Sequence, residues 1–295
     1  MSKPLASAVS DPATQAQREW QELRDGGWLL KAAQVAEFTA RGFLSFDALV
    51  PEALNRDALA AFEAGEVRGG GYDGVPLAGA YAADHPIGRL LALPQVRGII
   101  TSLVGPQPLR DHDAVHTVAA GHLAAQGWHA DATIDPRDDA FDIQLMYFPH
   151  DLPAEMGGTM LLPGSHLRQV HEFQVSRYHH IVGQMATICP AGTIHVLHHG
   201  MWHRGRGNAT DRTRYMYKLR LNPTWKQERL FDLDGYRSPE VARILTTPEP
   251  WFGVEARLEY LNRLRLWRHL SGDATYDASH WLGRLEAKPL RRLGA

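Results

Sequence analysis

An α+β fold with a mainly β core is the fold class this sequence predicts, on three observations. Residues 113–222 break into short β-like segments separated by turns. Helical patterns precede them, and a leucine-spaced helix follows. Strands of this length and spacing build a sandwich or barrel, and the flanking helices then have one sheet to pack against.

Residues 1–18 have no apolar run of targeting length and read as a disordered, solvated tail. Residues 19–295 read as a single domain, with a β core over about 113–222 and a helical C-terminal segment over about 239–285. Within 29–42, Ala33, Val35, Ala36 and Phe38 have helical spacing, and Gly42 ends the helix. Residues 43–46 form a strand. The next helix, 51–65, starts at a proline, stops at a glycine and carries Leu54, Leu59 and Phe62 on its apolar side. Gly69-Gly70-Gly71 is a flexible turn, and 85–104 is a long helix restarted at Pro94. Strands are expected at 114–120, 128–133, 142–148, 159–162, 184–188, 193–197 and 213–221. In the last helix Leu258, Leu261, Leu264, Trp267 and Leu270 share one stripe, with Arg257, Arg263, Arg265 and Arg268 elsewhere, which predicts packing on the barrel.

The 295 residues are 44% hydrophobic, enough for one large core. Net charge is −2 with both signs well mixed, and no basic stretch points to nucleic acid. No window is apolar for long enough to span a bilayer. Cys189 is the lone cysteine, which excludes an internal disulfide and fits a reducing, cytoplasmic setting. A monomer or a homodimer fits equally. Histidine is the outlier, with 16 residues concentrated in the middle of the chain.

His129-Ala130-Asp131 is the motif that carries chemistry. Side chains two apart on a strand share a face, so His129 and Asp131 can grip one ion. A histidine from a later strand completes the set, with His195, His198, His199 and His203 available. Two imidazoles and a carboxylate with open positions suit Fe(II), and also Zn or Mn. Arg214, or Arg212 two residues before it, offers a planar two-pronged contact to a carboxylate.

These residues sit in a longer frame. Trp128-His129-Ala130-Asp131 is followed by Gly157-Gly158-Thr159, then Leu162-Pro163-Gly164-Ser165-His166, Gly192-Thr193, Trp202-His203 and Asn208 leading to Arg214. In this order and spacing the chain resembles the phytanoyl-CoA dioxygenase family of Fe(II)/2-oxoglutarate oxygenases, and 26–50 extends the likeness. The resemblance implies a double-stranded β-helix, also called a jelly roll or cupin-like barrel, with the metal in its mouth. It implies His129, Asp131 and His203 as iron ligands and Arg214 as the clamp on the distal carboxylate of 2-oxoglutarate. Thr117, Gln126, Gln144 and Tyr147 lie on or beside strands expected to face the interior, and Thr117 and Gln126 are assigned to the co-substrate. Pro163-Gly164-Ser165-His166 reads as a structural turn, Asn208 as the brace of the loop after His203, and Trp128 and Trp202 as packing that stiffens the site. Loops 66–82 and 132–141 could form a lid.

The implied activity is a dioxygenase that consumes O2 and 2-oxoglutarate, releases succinate and CO2, and oxidises a C–H bond of a small molecule, as in a tailoring step of natural-product biosynthesis. Asp131 fills the position that halogenating relatives leave small, so halogenation is not implied. A 2-oxoglutarate-independent cupin-type metalloenzyme and a non-enzymatic binding barrel are the competing readings. Arg214 weighs against both, since a buried cation without an anionic partner is costly.

Overall fold

In the computed structural model the described residues are 12–67, 69–71, 74–131, 140–168, 177–249 and 254–278. Two antiparallel sheets form the β core. The larger has strand order β1-β7-β4-β9-β3-β2, from β1 (Phe43–Phe46), β2 (Val75–Pro76), β3 (Leu109–Val118), β4 (Ile143–Phe148), β7 (Thr193–His198) and β9 (Arg214–Asn222). The smaller has order β6-β5-β8, from β5 (Thr159–Leu161), β6 (Met185–Ala186) and β8 (His203–Gly205). The sheet core thus reaches beyond 113–222. β1 pairs with β7 through Leu44↔Val196, and β3 begins at Leu109, where strand pairing overrides the polar run Arg110-Asp111-His112.

The middle of the larger sheet is buried on both sides, where β4 and β7 have no exposed residue. On one side Ile143, Leu145, Tyr147, Ile194, Val196, Tyr217 and Leu219 join the main core. This side meets the helices α2 (Ala32–Arg41), α3 (Glu52–Glu63), α4 (Pro86–Ala92) and α5 (Pro94–Val104). Gly42, at φ 81°, ends α2, and its N–H donates to Phe38 O at 2.7 Å. α4 and α5 restart at Pro94 with a 67° bend. No single helix among the described residues is long and apolar enough to cross a membrane.

Residues 1–11 lie outside the described residues, but the tail expected over 1–18 is corrected from Pro12 onward. Helix α1 (Pro12–Asp25) buries Ala16 and Leu23, its Trp20 indole donates to Leu230 O at 3.0 Å, and Glu19 pairs with Arg97. Its few apolar residues face α5, so tertiary contact stabilises a polar sequence as helix.

After α6 (Pro239–Thr246) comes helix α7 (Val254–Ser271). Arg263 and Arg268, off the apolar stripe in the sequence, are buried. Arg168 and Arg263 both bind Glu259, at 2.8 Å from Arg168 Nε and 2.5 Å from Arg263, and Asn262 donates to Leu167 O at 2.9 Å. These contacts lock α7 onto the turn at Ser165–Leu167, where Gly164 adopts φ 79°. A side chain at Gly164 would press on Glu259. The Pro163-Gly164-Ser165-His166 motif is thus where the barrel meets its last helix, and Ser165 Oγ accepts from Trp202 N at 2.9 Å.

Candidate metal centre

The other side of the larger sheet faces the smaller sheet and forms the barrel interior. Strand alternation puts Arg214, Met216, Lys218 and Arg220 of β9 on this side, with Gln144, Met146 and Phe148 of β4 and His195 and Leu197 of β7. Tyr147 belongs to the opposite side. Its hydroxyl donates to Asn55 Oδ1 at 2.7 Å within the helix-covered core, which corrects the expectation that it faces the interior.

His203 opens β8 and is paired with Leu161 of β5. His129 lies opposite His203 in an isolated bridge, with His129 N–H to His203 O at 3.0 Å and His203 N–H to His129 O at 2.8 Å. No continuous strand over 128–133 is present among the described residues, and 132 and 133 lie outside them. The bridge nevertheless brings the imidazoles to 4.5 Å between ring centroids. Asp131 completes a cluster in which one donor atom from each of His129, Asp131 and His203 lies within 4.8 Å of the others. Among the described residues this is the one group of His, Cys, Asp or Glu so arranged.

The donor chemistry suits a divalent ion. Nδ1 of His129 lies 2.9 Å from Gly127 O, and Nδ1 of His203 lies 3.0 Å from Met201 O. Each carbonyl favours the proton on Nδ1 and leaves the Nε2 lone pair toward the cluster. Burial lowers His203 to about 4 against the pull of Asp131, so the ring is neutral at pH 7. Burial alone would raise the Asp131 carboxyl; the facing cations, His203 when protonated and Lys218, outweigh it and hold it far below the usual range. At neutral pH the Lys218 ammonium is the charge that acts, and it donates to Asp131 Oδ2.

The other histidines stand apart from the cluster. His195 faces the interior beside Phe148, at 5.6 Å between ring centroids. His198 stacks on Phe141 at 4.9 Å, and burial lowers it to about 3. His199 is buried beside Arg220 and lowered to about 4.

Arg214 opens β9 and is 7% exposed. One terminal nitrogen donates to Met156 O at 2.8 Å and Arg206 O at 3.0 Å, with Gly158 O at 3.4 Å. No carboxylate pairs with Arg214 among the described residues, and burial with Arg206 nearby lowers it to about 10. Gly157, at φ 89°, permits the approach of Gly207 O that a side chain would block. The rival Arg212 is exposed, and its carbonyl accepts from Asn208 Nδ2 at 2.7 Å, which braces the loop before β9.

Arg214 opens onto a cavity of about 420 Å³ whose walls include His116, Gln126, Phe148, Arg206 and Met216. The clustered residues do not line it, but Gly205, two residues beyond His203, does. Gln126 is on this wall with its side-chain oxygen committed to Gly205 N at 2.8 Å. Thr117 borders the same space, yet its register partner is Tyr215 whereas that of Arg214 is Val118. Its side chain therefore shares the face of Tyr215. Trp128 and Trp202 pack together with Met160 and Leu162 behind the histidines, and Arg204 lies over the Trp128 ring at 5.4 Å. Lys218, Arg206 and His116 escaped the sequence reading. For Lys218 the signal was available, because it lies four residues past Arg214 on an alternating strand.

Residues 30–216 match the family model described as phytanoyl-CoA dioxygenase. No curated protein sequence matches the chain. Among solved structures, EctD from S. alaskensis, with 2-oxoglutarate and 5-hydroxyectoine, is 18% identical with a TM-score of 0.51, covering 66% of this chain and 76% of that one. Apo HygX from Streptomyces hygroscopicus is 14% identical with a TM-score of 0.50, covering 67% and 88%. At these identities the likeness is one of fold, and it is the cupin-type barrel described above.

Proposed function

The chain belongs to the phytanoyl-CoA dioxygenase family, and on that premise we propose that it oxidises a C–H bond of a small organic molecule, by hydroxylation or oxidative ring closure, in the assembly of a natural product. It is a non-haem Fe(II)/2-oxoglutarate-dependent oxygenase. The observation that carries the co-substrate reading is Arg214, a buried guanidinium without a carboxylate partner among the described residues, opening onto a cavity whose wall includes Gly205 of the strand that carries His203. A buried cation of this kind calls for an anion.

Nε2 of His129, Nε2 of His203 and the Asp131 carboxylate would hold the iron. Bound iron with 2-oxoglutarate supplies the activation of O2, giving succinate and CO2 as co-products. The protein's part is positional. Three backbone carbonyls fix one nitrogen of Arg214, which aims the remainder of the guanidinium at the cavity for the distal carboxylate. Gln126 pins β8 through Gly205 and so steadies the strand that carries His203. Met146, Phe148 and Met216 give the interior an apolar lining that keeps water from the reacting carbon.

The chain works as one catalytic domain on a small molecule, without nucleic acid or membrane. In support of one domain, Val35, Val196 and Trp267, from early, middle and late parts of the chain, share one core. Anaerobic titration with Fe(II) and 2-oxoglutarate tests the cofactor pair. A visible charge-transfer band that needs both, and disappears in His129→Ala, is expected. Stoichiometric metal binding without such a band would move the protein to the 2-oxoglutarate-independent metalloenzymes.

A further inference from the structure

Two of the three clustered residues are held by backbone pairing, and the third is not. His203 lies on β8, and His129 is bridged to it by two hydrogen bonds. Asp131 lies beyond the bridge, outside any strand. Its carboxylate is held instead by Lys218, from the middle of β9, where Lys218 faces Met146 of β4 on one side and Ala114 of β3 on the other. Lys218 Nζ donates to Asp131 Oδ2, while Oδ1 accepts no hydrogen bond among the described residues and lies 3.8 Å from His129 Nε2.

This ion pair changes what an incoming cation meets. Without Lys218 a divalent ion would enter a site carrying one negative charge. With Lys218, whose side chain is only 11% exposed, the carboxylate is already matched and a buried ammonium stands against the ion. Among the described residues no second acid restores the balance. Asp111 and Asp142 are both engaged by Arg220, at 3.0 and 2.8 Å. Arg214 and Arg206 add positive charge along the adjoining cavity. Counted over the described residues, the site is thus short of negative charge until a dianion arrives.

We infer that Lys218 competes with the metal for Asp131, so that the ion and the dianionic co-substrate bind as a coupled pair rather than independently. The inference rests on the metal centre proposed above. Each ligand supplies the charge the other lacks, and linkage requires the enhancement to be reciprocal. Lys218 also steadies Asp131, and losing an outer partner of a ligand typically weakens metal binding by about 10–100-fold. The two effects have opposite signs, so one measurement separates them.

The test is titration of the metal-free full-length protein with Mn(II), with and without 2-oxoglutarate, following free Mn(II) by electron paramagnetic resonance. Wild type should bind Mn(II) weakly alone and more tightly with 2-oxoglutarate. Lys218→Met should bind Mn(II) alone about tenfold tighter or more, with a smaller gain from 2-oxoglutarate. Lys218→Arg, which keeps the charge, should behave as wild type. Unchanged or weaker Mn(II) binding by Lys218→Met, with wild-type thermal stability, overturns the inference and leaves Lys218 a support for Asp131. His203→Ala separates this from failure of the metal centre. If it binds Mn(II) as wild type does, the centre itself is misplaced.

Discussion

The two sides of the six-stranded sheet are built from the same strands and are almost equally buried, yet they differ in kind. The helix-covered side is mostly apolar, the hydroxyl of Tyr147 is satisfied by Asn55, and the buried Asp113 is held by Tyr81 and Tyr217. The interior side alternates Met146, Phe148 and Met216 with His195, Lys218, Arg220 and Arg214. One side gains stability from contact area, while the other holds charges whose partners are few and specific. A strand buried on both sides can therefore carry a core and a reaction centre at once, because alternation keeps them one residue apart.

Substitutions on the two sides should break this contrast in different ways. The largest effect is expected on the interior side from His203→Ala or Asp131→Ala. Either should abolish stoichiometric metal binding and turnover, His203→Ala with a melting temperature close to wild type and Asp131→Ala with a lowered one, because Lys218 loses its partner; metal analysis by atomic emission beside a melting curve checks this. On the helix side, Leu145→Ala removes a fully buried side chain and should cost about 2–5 kcal/mol in urea unfolding, without a selective loss of 2-oxoglutarate affinity. Arg214→Ala should weaken 2-oxoglutarate binding by about 10–150-fold, equivalent to about 1.5–3 kcal/mol, with metal binding retained in calorimetry. Equal 2-oxoglutarate affinity in that variant would remove the cavity from the co-substrate reading.

Acid should sharpen the contrast. Burial lowers His195 to about 4 and His198 to about 3, from ordinary values near 6.5. The unfolded chain then binds more protons than the folded one between those values. Stability is complete above about pH 6.5 and falls as pH drops toward 4, by at most about 1.4 kcal/mol per pH unit for each histidine. Melting temperatures across that range should decline, and His198→Phe should flatten the decline. The smallest effect is expected from Tyr147→Phe, which leaves Asn55 Oδ1 without its donor and should cost about 1–2 kcal/mol with no change in metal affinity.

How much was legible beforehand depends on how local the information is. Alternation, glycine stops and proline starts are carried by neighbouring residues, so α2, α3, the break at Pro94 and most strands could be read directly. The spacing of His129, Asp131, His203 and Arg214 within a longer motif was equally local, and the sequence alone determined which chemistry to look for and which residues to compare. Position across the barrel is different, because it depends on pairing between strands distant in sequence. Register with β9 turned Thr117 away from Arg214, and the bridge to His129 set His203 apart from His195, His198 and His199. Packing against α5 made a helix of a polar N-terminal stretch, and Glu259 drew arginines of α7 inward. Only the tertiary structure brought Lys218 onto Asp131, 87 residues away, since no local rule sets which side chains meet across a closed sheet.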